Sequence, residues 1–224
     1  MFKSKKNISM KIAIQVVLWV LALFFSYKIY DSINGPIKFN EIKNDRYAKV
    51  IDRLKDIRIA QIAHKDVKGA YSDNFDSLVK FVDEGIFTLI EKRDSSYLEY
   101  DKTYRIDMLR EIVVIDTLGF VPVKDSLFGE SDRYKRMQNV PIEGTDSLFH
   151  IKSAVINKNG YKAPVFEVKV SKNVVLFDQN KDLLKVENET VSVDGVNGSE
   201  IILGSLTDVS TNGNWPTIFD AKKQ

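Results

Sequence analysis

The sequence predicts an α+β protein: one N-terminal transmembrane helix, a long amphipathic helix with a short helix after it, and then a mainly antiparallel β domain. Three observations predict this fold. Residues 12–27 are apolar or aromatic except at Gln15 and Ser26, residues 40–67 repeat apolar side chains at helical spacing, and the second half alternates short β-branched runs with turn residues. The 224 residues suffice for one domain with a core of its own beyond the first segment.

The first apolar segment has the length and flanks of a retained membrane anchor. As a helix, residues 12–30 would cover about 28 Å, close to the roughly 30 Å hydrocarbon core of a bilayer. Four lysines precede the segment and the first acidic residue is Asp31, so the positive-inside rule predicts a cytoplasmic N-terminus. A cleaved signal peptide and a buried core helix are the alternatives, but residues 24–30 lack a small-x-small cleavage site and few core helices are apolar on every face.

This anchor divides the chain into five predicted parts. Gly35 and Pro36 together oppose a continuous helix, so we expect a linker between the anchor and the next helix. The domain after the anchor would lie outside the inner (plasma) membrane, in the periplasm. The predicted parts are a cytoplasmic basic stub at 1–11, a transmembrane signal anchor at 12–30, a linker at 31–39, a helical region at 40–85 and an antiparallel β-rich region at 86–224.

Charge and cysteine content exclude several classes of function. Residues 1–28 carry five lysines and no acid, which leaves a net charge of −3 for residues 29–224 out of the total of +2. Since no basic run follows the anchor, nucleic-acid binding has no support. The chain has no cysteine, which excludes disulfides, thiolate nucleophiles and zinc–thiolate sites. An exported domain without disulfides has to be held together by packing.

The long amphipathic helix carries the clearest apolar stripe, with charged residues on its other faces. Asn40 is the expected N-cap and Gly69 the expected stop. Two interpretations of the stripe remain open: it packs on the domain's own sheet, or part of it contacts another subunit. The candidate contact residues on this stripe are Tyr47, Val50, Ile51, Leu54 and Ile57.

A short helix and a series of strands follow. We predict a helix that begins after Asp73 or Asn74 and stops at Gly85. Residues 119–141 are charged and are expected to lie outside the core. The predicted strands cover residues 86–91, 97–100, 111–116, 148–155, 165–170, 173–177, 184–187, 190–193 and 201–206.

The order of these parts resembles that of type IV pilins and pseudopilins. The similarity lies in residues 54–63, in Gly69-Ala70-Tyr71 and in the short helix that follows, where pseudopilin helices leave the stem. The prepilin motif is absent from the head of the apolar run, which opens Lys11-Ile12-Ala13-Ile14-Gln15 without its Gly or Glu. The string at 87–91 matches part of that motif but stands in a predicted strand. The resemblance therefore implies a shared architecture and a role in envelope assembly.

No motif in the sequence predicts catalysis, a cofactor or a metal. The two histidines, His64 and His150, stand in a predicted helix and a predicted strand, where structural roles are the more frequent ones. Residues 178–189 imitate the ligand spacing of a calcium loop, but Leu183 replaces the glycine that such a loop needs, which favours a polar turn between strands. A hydrolase that uses two carboxylates remains the third alternative for the function.

The C-terminal aromatic residues Trp215 and Phe219 complete the candidate contact set. They either contact a partner, because Trp is favoured at interfaces, or fold back over the chain's own sheet. The leading hypothesis is a non-enzymatic, membrane-anchored assembly subunit of a pilus- or secretion-like envelope complex. Its expected partners are the bilayer and other envelope proteins or further copies of the chain. The alternative is an anchored periplasmic module that binds a ligand or a partner protein.

Overall fold

The computed structural model describes residues 4–158 and 160–220, and its dominant element is one uninterrupted N-terminal helix. This helix, α1, spans Ser4–Lys68 with 65 residues, a length of about 98 Å at 1.5 Å per residue. Of the lysines that precede the apolar segment, Lys3 lies outside the described residues.

The predicted linker at residues 31–39 is wrong, because α1 continues through Pro36. A proline in a helix removes one hydrogen bond, and its ring presses on the Cβ of the residue before it. Here that residue is Gly35, which has no Cβ and an open surrounding. The long helical segments on both sides of Pro36 then keep the helix continuous despite the one missing backbone hydrogen bond. Asn40 is accordingly an interior residue of α1 and not an N-cap.

The predicted helix stops and the second helix are confirmed. α1 ends before Gly69, whose φ of +79° is the left-handed conformation that favours glycine. The side chain of Asn74 accepts a hydrogen bond from the backbone N–H of Ser77 and so caps α2, Phe75–Glu84. Gly85 follows α2 and donates its N–H to the carbonyl of Phe81.

The strands form two separate antiparallel sheets. The first is a hairpin of β1, Ile86–Asp101, and β2, Ile106–Pro122. The second has the order β3-β4-β5. Its strands are β3, His150–Lys158, β4, Tyr161–Ser171, and β5, Glu200–Gly204.

Three predicted strands are not strands in the structure. Residues 173–177 overlap the short helix α4, Lys172–Val175, and residues 190–193 are irregular. Residues 184–187 lie in α5, Lys181–Asn188, which begins where the Asn180 side chain accepts hydrogen bonds from two backbone N–H groups. The polar turn between strands that was expected at residues 178–189 is therefore wrong, because Asn180 caps the start of α5 there. Local capping decided the conformation in a stretch too short for periodicity to do so.

The core lies between the far half of α1, α2 and the second sheet. The segment after β2 also contributes to the core, through α3, Val123–Leu127, and a 3₁₀ turn at Arg133–Arg136. The expectation that residues 119–141 lie outside the core is therefore wrong. Its apolar side chains alternate with charged ones and are buried one at a time. The buried residues contributed by this segment are Val123, Phe128, Tyr134, Met137 and Val140.

Candidate functional site

The most buried charged group in the described part of the chain is the ammonium of Lys172, whose side chain is 0% exposed. Its Nζ donates to Glu187 Oε1 at 3.0 Å, to the Glu187 carbonyl at 2.8 Å and to the Val196 carbonyl at 2.8 Å. A lysine ammonium has three N–H donors, so every donor has a partner. Lys172 thereby ties the start of α4 to the end of α5 and to the loop after it.

Glu187 connects this lysine to α1. Its Oε2 accepts from Lys43 Nζ at 3.0 Å, and its Oε1 also accepts from the Tyr47 hydroxyl at 3.2 Å. We name Lys43, Tyr47, Lys172 and Glu187 the buried charge cluster. It joins one face of α1 to the helical segment that follows β4.

Burial and charge shift the pKa values in this cluster. Burial lowers the pKa of Lys172, against the opposing effect of Glu187. Burial alone would raise the pKa of Glu187, but the hydrogen bonds from Lys43 and Lys172 outweigh it and hold that pKa below its usual range. Burial, and then the neighbouring Glu187, raises the pKa of the Tyr47 phenol.

A cavity of about 540 Å³ lies over the cluster. It is lined by residues of α1, the end of α5, the loop at 190–196 and the C-terminal segment. Its polar lining residues are Lys43, Asn44, Tyr47, Glu187, Thr190, Ser192 and Asp194. All three N–H donors of Lys172 are already hydrogen-bonded within the protein, so Lys172 has no donor left for a ligand in the cavity. The geometry suits a structural clamp under a small, mainly apolar pocket. Its apolar wall residues are Ala48, Val196, Ile218 and Phe219.

The two histidines are used structurally or stand apart. His64 Nδ1 lies 2.6 Å from the Ala70 carbonyl, and its ring contacts Phe81 edge-on. His150 is an exposed residue at the start of β3. Within residues 4–158 and 160–220, no group of three or more His, Cys, Asp or Glu side chains is arranged to hold a metal ion.

The structure places the predicted contact residues of α1 inside the chain's own domain. All five are at most 2% exposed, so their assignment to a subunit contact is wrong and the alternative of packing within the domain is the observed one. Trp215 is also buried, at 7%, and Phe219 packs against the core, so the C-terminal segment folds back. These five predicted contact residues are Tyr47, Val50, Ile51, Leu54 and Ile57.

Beyond α1, the largest exposed apolar surface lies on the hairpin of β1 and β2, which we name the arm. Residues 88–100 are exposed without exception, and β2 is nearly as bare. Only the base of the arm joins the core, where Phe87 packs against it. The large apolar side chains of the arm that are at least 39% exposed are Ile86, Leu89, Ile90, Tyr97, Leu98, Tyr100, Ile106, Met108, Leu109, Ile112, Val113, Ile115, Leu118 and Phe120.

Sequence reasoning missed both the charge cluster and the arm. Lys172 and Glu187 are 15 residues apart in a region predicted to be strands, so no helical or strand spacing brought them together. The arm left a partial signal: Asp101 accepts from the backbone N–H groups of Thr103 and Tyr104, a turn typical of Asp before a tight loop. The predicted strands at 86–91, 97–100 and 111–116 all lie in the arm, but the first two are parts of the single strand β1, and β2 extends well beyond the third. An exposed strand and a buried one look alike in sequence.

Comparison with known proteins gives no relative from which a function could be carried over: no family model, no curated protein and no solved structure matches the chain.

Proposed function

We propose that this protein is a single-pass, membrane-anchored assembly subunit of a cell-envelope complex of the pilus or secretion type. The observation that carries the proposal is the continuity of α1. The same helix contains the bare apolar segment at 12–30 and, further along, the buried face of the domain. Met10–Lys68 is long and apolar enough to cross a membrane, and its most apolar window is 0% buried in the chain.

In this proposal the continuity of α1 sets the distance between the membrane and the domain. A bilayer core takes about 20 helical residues. Phe39, a core residue of α1 that is 6% exposed, follows Tyr30 by nine positions, which is about 14 Å along a helix. The domain would therefore stand on a short rigid stalk, with its N-terminus in the cytoplasm and its bulk in the periplasm. A fixed presentation of this kind suits a subunit that positions a surface for assembly.

The absence of cysteine allows a direct test of the topology. Single cysteines at Ser4 and Lys38 lie on opposite sides of the proposed span. We expect a membrane-impermeant maleimide to label Lys38→Cys on spheroplasts and to label Ser4→Cys only after lysis. Labelling of both before lysis, or of neither, would contradict the anchor.

The assembly role is tested on the full-length protein in mild detergent. We expect light scattering to give a defined complex larger than one chain of 25.6 kDa, alone or with co-purified envelope proteins. A monomer at every concentration that also retains no other protein would overturn the assembly role while leaving the topology test unaffected.

The cavity over the charge cluster favours a second candidate, a module that binds a small ligand. Its volume of about 540 Å³ and its apolar walls fall in the range of ligand pockets. Saturation-transfer NMR with indole-3-acetate, an aromatic carboxylate, tests it. Binding is expected to disappear in Ala48→Trp, which fills the cavity, and to persist in Ala154→Trp on β3. Equal signals from both variants would reject this site.

A further inference from the structure

We propose that the arm binds the arm of a second copy of this chain, through the outer edge of β2, to form a four-stranded antiparallel sheet. The proposal rests on the proposed assembly function and names its partner.

As a single hairpin, the arm exposes a large apolar surface to water. Its 16 opposed residue pairs, from Ile86 opposite Pro122 to Asp101 opposite Ile106, give it a length of about 54 Å at 3.4 Å per residue. An isolated two-stranded hairpin is at best marginally stable in water, and both faces of this one are exposed. Additional strands would pair the free backbone groups and cover part of the apolar side chains.

The two outer edges of the arm differ in how they are protected. The middle of β1 reads Glu91-Lys92-Arg93-Asp94, and charged side chains of this kind normally prevent edge-to-edge pairing. The middle of β2 reads Ile112-Val113-Val114-Ile115, an uncharged β-branched run on an exposed strand. The edge of β2 on the tip side of the irregularity at Leu118 is therefore the one that can accept another strand.

The charges that flank the apolar run make β2 complementary to itself. In an antiparallel pair centred on Val113, Arg110 lies opposite Asp116 of the partner subunit, and Asp116 lies opposite the partner's Arg110. Opposite charges across a strand pair are favourable and like charges are unfavourable. A parallel pair in register would instead place each charge opposite its own copy.

Existing ion pairs within the arm leave Arg110 and Asp116 available. Arg110 Nε lies 2.9 Å from Glu99 Oε2, and Asp116 pairs with Arg93. All four side chains are 45–61% exposed, so these pairs are weakly held. A guanidinium has five N–H donors and a carboxylate accepts several hydrogen bonds, so each group can keep its own partner and bind one across the interface.

A pair of charge reversals in the full-length protein tests this register. Arg110→Asp alone places two carboxylates opposite each other at both ends of the β2 pair, and Asp116→Arg alone places two guanidiniums there. We expect either variant to weaken self-association on the order of tenfold or more, measured by sedimentation equilibrium in detergent. When the two variants are mixed, both ends become complementary again, and a heterodimer is expected to form with the affinity of the original dimer.

The mixed sample separates the proposed contact from effects inside one arm. Each variant keeps its altered intrachain pairs on mixing, so recovery can come only from contacts between chains. Lys92→Glu on β1 is the matched control and is expected to leave the dimer intact. If mixing restores nothing, or if the control dissociates the dimer as strongly, the β2 pairing is wrong.

A single cysteine provides an independent measurement at the centre of the interface. Val113 lies opposite its own copy in the proposed pair, so Val113→Cys is expected to form an interchain disulfide on mild oxidation. Val155→Cys, equally exposed on the edge strand β3, is expected to remain monomeric on a non-reducing gel. An oligomeric protein in which Val113→Cys never crosslinks would overturn this pairing while leaving the assembly role intact.

Discussion

The buried face of α1 and the arm are both rich in large apolar side chains, yet they have opposite environments. On α1 the side chains from Tyr47 to Ala63 that point inward are 0–3% exposed, whereas most large apolar side chains of the arm are 39–70% exposed. The helix face is covered by α2, the second sheet and the segment after β2. An apolar pattern in the sequence therefore shows which side chains are available for burial. Whether they are buried depends on which other parts of the chain the fold places against them.

The largest expected effect comes from placing the same kind of substitution in each region. Leu54 is 0% exposed, so Leu54→Ala should lower the free energy of unfolding by about 2–5 kcal/mol, and Leu54→Glu should prevent folding of the domain. Leu109 on the arm is 64% exposed, and Leu109→Ala should change the stability of the monomer by less than about 0.5 kcal/mol. Urea unfolding followed by Trp215 fluorescence in a Trp19→Phe background measures both.

A second large effect is expected from the buried charge cluster. Glu187→Gln leaves Lys172 buried without a negative charge, which should cost about 3–5 kcal/mol of stability. Lys43→Met is the control, because Lys43 is partly exposed and Lys172 keeps its carboxylate; it should cost less than about 1 kcal/mol. Equal losses in both variants in the same urea assay would show that Lys172 is not held by Glu187.

These residues also mark how far sequence reasoning reached. Gly69, Asn74 and Gly85 each act within four residues, so helix ends could be placed correctly from sequence. The amphipathic stripe of α1 also has a sequence signal, but most of its covering layer comes from the segment after β2 and the second sheet, which are distant in sequence. No sequence pattern around Lys172 or Glu187 predicts their ion pair, because the contact depends on how α4 and α5 pack on α1.

A pH effect of intermediate size is expected at Tyr134, whose hydroxyl donates to Asp83 and joins the segment after β2 to α2. Burial, and then the carboxylate of Asp83, raises the pKa of Tyr134 from 10.0 to about 12. A raised pKa in the folded state means that this contribution to stability is complete below pH 10 and is lost as the pH rises towards 12.

Tyr134→Phe removes both the hydrogen bond and the ionisation. The variant should therefore be less stable than the original protein at pH 8, and the gap should narrow between pH 10 and 12. Urea midpoints measured across this range check the prediction. A gap that stays constant up to pH 12 would contradict it.

The smallest effect concerns a surface ion pair that links α1 to the stretch after α4. Arg46 binds Asp178 through two hydrogen bonds of 2.6 and 2.9 Å, and this holds the pKa of Asp178 well below its usual range. Because the pKa is lowered by folding, the stabilisation is present above the usual value of about 3.9 and is lost as the pH falls below it. The carboxylate is 44% exposed, so solvent screening should keep the effect below about 1 kcal/mol.

The ion pair between Arg110 and Glu99 on the arm serves as the control for the pair between Arg46 and Asp178 on the domain. Asp178→Asn should reduce the loss of domain stability between pH 4 and pH 2, because it removes a group whose protonation is linked to unfolding. Glu99→Gln removes the carboxylate that Arg110 binds on the bare hairpin, and it should leave the same pH profile unchanged. If Glu99→Gln changed that profile as much as Asp178→Asn, the arm would be coupled to the folding of the domain. A small difference between two exposed carboxylates thus reports whether the arm unfolds independently of the core.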